Sequence, residues 1–349
     1  MVPSSSAAPA LASFARTDNV KSAPRLRARV ADARSEVVPV LAMGGLFLVS
    51  IALAVAIAPT FAAEDLQAFE DPENLWNPII YLGIVVAFTL VILVIARMKL
   101  QRLIQYIILG ATFLTMVYVF WPLLGLVMED SFALTLGTAA AVALTAALYY
   151  YPEWWIVDSV GVVVSAGAAA IFGISFGLLP SLALLVAFAV YDAIAVYRTK
   201  HMLDLADSVL ELRLPIMFVV PRTRGYSFLK EKGLKARAAE GEGAVREAMF
   251  MGLGDVVIPC ILVVSALHFL NADGVAAVGP LGGPALVALA TVLGTLVGYA
   301  VLMAFVLRGN PQAGLPSLNG GAIVGFFAAL LPLYGVAPLL DSLCAFVGC

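Results

Sequence analysis

Runs of about 20 apolar residues, separated by short polar breaks, recur along the chain from residue 37 to residue 339. Each run can cross a hydrocarbon core of ~30 Å as a helix rising ~1.5 Å per residue. None has the alternating ~10-residue pattern of a membrane barrel strand. The pattern predicts nine spanning helices, at residues 37–61, 75–97, 103–128, 132–150, 156–174, 177–197, 248–270, 282–307 and 315–339. A turn around FGISFG is all that separates the fifth from the sixth.

The polar breaks define the organisation. Residues 1–36 are rich in Ala, Ser, Pro and Arg and lack an apolar period, so a disordered basic tail is expected there. Residues 37–197 hold six helices. Residues 198–247 form the longest hydrophilic segment. Its first part, RTKHMLDLADSVLELRL, has the character of an interfacial helix. The glycine-punctuated RTRGYSFLKEKGLKARAAEGEG reads as a mobile loop. Residues 248–349 supply three more helices and a short C-terminal tail. Composition agrees: 62% of residues are hydrophobic and 12% charged, about half the charged share of a soluble domain. The expected class is an all-α, polytopic membrane protein.

Charge then orients the chain. All 20 Lys and Arg fall in the N-terminal tail, between the second and third helices, between the sixth and seventh, or at Arg308 after the eighth. With nine helices these sites share one side. The other side carries Glu64, Asp65, Glu70, Asp71, Glu73, Glu129, Asp130, Asp273 and Asp341, and no base. The positive-inside rule puts the N-terminus and the 198–247 loop in the cytoplasm and the C-terminus outside. The basic loop reads as an orientation signal that touches anionic headgroups, and no nucleic-acid partner is expected.

Several chemistries find no support. The two histidines, His201 and His268, form no HExxH motif. Ser265 and His268 stand three residues apart but lack an accompanying oxyanion donor, so both read as structural. Cys260, Cys344 and Cys349 have no metal-ligand spacing and read as small apolar packing residues, with a disulfide near the tail as the lesser alternative. No metal and no organic cofactor is implied.

Three carboxylates remain. Asp158 follows PEWWIV and reads as an acid at a helix start in the interfacial belt. Asp192 lies in VAFAVYDAIAVYRTK and Asp255 in FMGLGDVVIPC, both inside apolar runs. An ionisable residue at such a place is a functional candidate by default. Asp192 is six residues before Arg198, and Asp255 is eight after Glu247. Each should sit ~9–12 Å inside the same membrane edge. The two helices run antiparallel, so the carboxyls share a depth and can meet. Two carboxyls in contact in a low-dielectric site cannot both ionise and must share a proton. That is the acid–base division needed to hydrolyse an amide without a covalent intermediate.

Neighbouring residues suit such a site. Gly252 and Gly254 flank Leu253 and permit close backbone approach. Tyr191 adjoins Asp192. Pro316, Ser317 and Leu318 open the ninth helix at a comparable depth, where proline interrupts the helix and frees peptide groups for a substrate strand.

These pieces, in this order, resemble the GxGD intramembrane aspartyl proteases, the superfamily of presenilin and signal peptide peptidase, and most closely its archaeal presenilin-like members. The family pattern is YD, GxGD and PAL. Here it reads Tyr191-Asp192, Gly252-Leu253-Gly254-Asp255 and Pro316-Ser317-Leu318, with Ser317 in place of Ala. The resemblance covers about residues 37–340. It implies a nine-helix presenilin-like fold, Asp192 and Asp255 as the catalytic pair, and Pro316–Leu318 as active-site support. Substrates would be single-span membrane proteins or peptides with an outside N-terminus, cut in the bilayer. No obligate protein subunit is expected. The main alternative is a proton-coupled transporter that uses the Asp pair as a proton site; a non-catalytic scaffold of the same fold is a third.

Overall fold

The computed structural model describes residues 18–98, 100–199, 217–223, 225–230, 248–271, 282–308 and 312–347; residues 18–36, 198, 199 and 230 are described by backbone alone. Among the described residues ten α-helices and two strands follow in order: α1 (Asp18–Ala63), α2 (Trp76–Arg97), α3 (Gln101–Gly125), α4 (Asp130–Tyr150), α5 (Trp154–Ser175), α6 (Leu178–Ile194), β1 (Met217–Pro221), β2 (Ala248–Gly252), α7 (Leu253–Phe269), α8 (Gly283–Val306), α9 (Gly314–Tyr334) and α10 (Ala337–Val347). Eight of these helices are long and apolar enough to cross a membrane. With α7, whose 17 residues reach the lower limit for a span, the expected nine are present. The protein is a helical, multi-pass integral membrane protein.

Burial sorts the helices. α7 is buried along nearly its whole length, from Val256 to Ala266. α5 is next, with two thirds of its apolar window buried. α1, α6, α8 and α9 pack around these two, whereas α3 and α4 pair with each other to one side. α2 turns an apolar surface outward, with Ile79, Ile84, Phe88 and Val91 all exposed, as a lipid-facing helix requires. On its inner face Tyr81 packs its ring against Phe172 at 4.4 Å and Phe188 at 5.9 Å.

α8 and α9 approach backbone to backbone. A side chain added at Gly294 would overlap the Gly321 carbonyl, and one at Gly298 would overlap the Ser317 carbonyl. Small residues four apart on facing helices permit this approach, and in lipid such packing drives helix association. Asn319, fully buried on α9, donates Nδ2 to the Leu185 carbonyl of α6 at 2.8 Å.

The structure departs from the sequence reading in four places. Helix α1 begins at Asp18, so half of the expected tail is helical; its Ala, Arg, Lys and Leu are good helix formers continuing from the span. Residues 217–221 and 248–252 pair as an antiparallel ladder, Met217 opposite Gly252 and Pro221 opposite Ala248. The expected seventh span therefore opens with a strand. MFVVP is rich in β-formers, and Gly252 and Gly254 disfavour helix, so α7 starts only at Leu253. Third, the segment expected to be a mobile loop is partly fastened: Ser227 Oγ and the Phe228 N–H both donate to the Glu153 carboxylate, at 2.7 and 3.1 Å. The interfacial helix expected at 198–214 falls mostly outside the described residues. Fourth, α9 ends at Tyr334 because Gly335 takes φ +65°, and the chain restarts as the short helix α10.

Opposite the strand pair, the 64–75 loop is tied across the bundle. Ala68 N–H donates to Ser175 Oγ, Gly177 N–H to the Pro72 carbonyl, and Ser342 Oγ to Glu73. Ser265 donates to the Phe176 carbonyl at 2.9 Å, which satisfies it structurally. Cys260 is buried and free, and Cys344 is disulfide-bonded.

Candidate active site

Asp255 stands at the third position of α7, where Gly252 is the N-cap. Its carboxylate turns back onto the Gly252 N–H, the acidic half of a capping box. The first turn of a helix also favours negative charge, because its free N–H groups point outward. The strand-to-helix junction at Gly252 thus fixes where Asp255 lies.

Asp192 is held by a different helix end. It lies near the end of α6, and its side chain is 7% exposed. The Leu315 N–H donates to its Oδ2 at 3.1 Å, and the Gly314 N–H acts on it as well. These are the first two residues of α9. Their N–H groups have no partner within that helix, and Ala313 at the N-cap offers no side-chain acceptor. Asp192 fills the role of the missing cap. Directly after α6 the chain makes a π turn, Ala195–Thr199. Tyr197 in that turn donates to Gln312 Oε1 at 2.6 Å and accepts the Ala313 N–H at 3.4 Å. The end of α6 and the start of α9 are thereby joined at Asp192 and again at Tyr197.

The two carboxyls face each other across Gly314. A Cβ at Gly314 would lie 3.1–3.3 Å from the carboxyl atoms of Asp255, while Gly314 itself reaches Asp192. Asp192 is near enough to act electrostatically on Asp255. Both line one cavity of about 640 Å³, together with Tyr191, Gly252, Leu253 and Gly254. Tyr81, Phe188, Met251 and Val257 give it apolar walls. Among the described residues no group of three or more His, Cys, Asp or Glu is gathered as a metal site.

Of the expected site residues, the structure brings Tyr191, Asp192 and Gly252–Asp255 to this cavity. Pro316, Ser317 and Leu318 stand behind it. They follow Gly314 and Leu315 at the start of α9 rather than breaking a span, and Pro316 falls in the first turn, so its missing N–H costs no helical bond. The free peptide groups expected from that proline belong to Gly314 and Leu315, which the sequence reading did not single out. The available signal was Pro316 itself, which marks a first turn and so implies orphan N–H groups just before it. Asp158 is not an interface acid: it is 5% exposed, and it accepts the Val219 N–H of β1 at 2.7 Å.

A membrane bundle with two helix-end carboxyls facing one cavity invites comparison with known proteins. The family model for signal-peptide peptidase and presenilin aspartyl proteases matches residues 44–334. A solved presenilin family intramembrane aspartate protease in space group C222 is 40% identical, over 84% of this chain and 99% of its own, with a TM-score of 0.61. The same kind of protease solved in space group P2 is 39% identical, over 84% and 98%, with a TM-score of 0.60. No curated protein matches. The chain belongs to the signal-peptide peptidase and presenilin family of intramembrane aspartyl proteases.

Proposed function

We propose that this protein hydrolyses peptide bonds of membrane-spanning substrates with Asp192 and Asp255 as a shared-proton pair. The observation that carries this reading is Gly314, which lies against both carboxyls on the wall of one cavity. The ionised carboxyl takes a proton from water as the water oxygen bonds to the peptide carbon. The protonated carboxyl gives its proton to the carbonyl oxygen. The C–N bond of the resulting tetrahedral diol then breaks: the carboxyl now protonated gives its proton to the leaving nitrogen, and a diol hydroxyl yields its proton to the pair, which again holds a single shared proton.

A substrate helix must unwind to present its peptide bond, and the strand pair offers support for the extended form. Val219 N–H points to Asp158 and so away from β2; β1 spends its outer edge on α5. The outer edge of β2 is left without a strand partner among the described residues. It runs directly into the first turn that carries Asp255. Addition of a substrate strand there would deliver a peptide bond toward the carboxyls.

The basic residues favour a cytoplasmic strand pair, so single-span substrates with an outside N-terminus fit best. Water would enter from that side, since the opposite end is tied across by the 64–75 loop. No metal, cofactor or obligate subunit enters the reaction as proposed.

The deciding experiment is cleavage of single-span peptides by purified protein in liposomes, comparing wild type with Asp192→Asn and Asp255→Asn. Asparagine keeps the size and removes the ionisation. Loss of at least about 1,000-fold in either variant supports the reading. Wild-type inactivity across varied substrates, or variants that cut equally well, would overturn it.

A further inference from the structure

Asp158 is a buried acid that the proposed chemistry does not use. Its place in the fold is specific. It sits one turn inside α5, and its Oδ1 takes the Val219 N–H at 2.7 Å. Val219 pairs with Phe250, and the next pairs along the ladder are Phe218 with Met251 and Met217 with Gly252. Gly252 is the N-cap of the helix that carries Asp255. Three ladder positions therefore connect the Asp158 bond to the start of α7.

A second contact on the same helix acts on the same parts. Gly161 lies one turn beyond Asp158. A Cβ there would approach Phe218 to 3.0 Å and Leu253 to 3.1 Å. The bare face of α5 thus receives β1 and the first residue of α7 together. At the helix entrance, Glu153 holds Ser227 and Phe228 of the following segment. α5 is a template against which the strand pair is seated, and one of its contacts is a carboxyl acceptor in a dry place, where a backbone N–H would otherwise be left unsatisfied.

We propose that Asp158 is a positioning residue for the reaction: by seating β1 on α5 it sets the register of the strand pair and hence the place of Asp255. This rests on the protease reading above. It assigns Asp158 no contact with substrate and no proton transfer. Displacing a reacting group by about 1 Å costs on the order of 100-fold in rate, so a small shift of the α7 start is enough to matter.

The test uses the full chain in liposomes, with wild type, Asp158→Leu, Asp158→Asn, Gly161→Ala and the Asp255→Asn control. Leucine removes the acceptor. Asparagine keeps an acceptor oxygen at the same place. Alanine at 161 favours the helix but pushes Phe218 and Leu253 outward. The expected result is that Asp158→Leu and Gly161→Ala lower kcat by about 10- to 100-fold with KM changed less than about twofold. Asp158→Asn should stay within about fivefold of wild type, because a neutral acceptor still satisfies Val219. All variants are to be melted in parallel; if Asp158→Leu does not accumulate folded, Gly161→Ala decides. Unchanged kcat in a folded Asp158→Leu or in Gly161→Ala would overturn the inference. So would an Asp158→Asn variant as slow as the leucine one, which would assign the effect to charge rather than to seating. An active wild type with a dead Asp255→Asn keeps the protease reading whatever the α5 variants do, whereas an inactive wild type removes that reading and this one together.

Discussion

The Leu315 amide donates to the carboxylate of Asp192 at 3.1 Å, across 123 residues of chain. One bond thus joins the end of α6 to the start of α9, and it is made by the backbone of one partner. The neighbouring Gly314 sits between that carboxylate and Asp255. The site is therefore as much a matter of where three helices begin and end as of two acidic side chains.

Gly314→Ala tests this crowding. The added methyl would lie 3.1–3.3 Å from the carboxyl atoms of Asp255, tight enough to push it. Helix propensity at the first turn rises slightly, so folding should be kept. A kcat loss of about tenfold or more, with the melting temperature held, is the expected outcome in a cleavage assay paired with thermal unfolding. Gly314→Val should be worse.

A shared proton makes the pH profile a property of the pair. At low pH both carboxyls are protonated and no base remains. At high pH both are ionised and no acid remains. The expected dependence of kcat/KM on pH is a bell with two apparent constants that belong to neither residue alone. Initial rates over a range of buffered liposomes would record it; a single sigmoid would contradict proton sharing.

The glycine seam between α8 and α9 should be intolerant. Gly298→Ala would drive a methyl into the Ser317 carbonyl, and backbone cannot step aside as a side-chain tip can. A destabilisation of about 1–3 kcal/mol is expected, read as a lower melting temperature, with activity lost as the first turn of α9 shifts. Gly294→Ala meets the Gly321 carbonyl farther along the helices and should cost similar stability with less effect on the chemistry.

Ser317→Ala restores the residue that the family motif carries, and it should change little. The close contact at this position is made by the Ser317 carbonyl against Gly298, not by the hydroxyl. Stability within about 0.5 kcal/mol of wild type and cleavage within about twofold are expected.

The helices and both acids were legible from the chain because lipid makes their signals loud. Asp192 and Asp255 stand out because each interrupts about twenty apolar residues, and their distances from Arg198 and Glu247 predicted a shared depth. The strand at 248–252 was not legible. AMFMG continues smoothly into the apolar run of α7, and a short apolar strand has no periodicity to separate it from buried helix. Asp158 was misread because its partner, the Val219 amide, is 61 residues away and leaves no mark in the local sequence. Helix α10 was hidden for a related reason: Gly335 ends α9 by conformation, inside an unbroken apolar stretch.

The amides that hold Asp192 carry a consequence for genetics. Nineteen of the twenty amino acids would present the same N–H at position 315, so a saturation scan would grade this position by side-chain bulk and pass over its hydrogen bond. The bond becomes visible to synthesis rather than to codons. Replacing the Gly314–Leu315 amide by an ester, with the leucine side chain retained, deletes the donor and otherwise only weakens the Gly314 carbonyl as an acceptor.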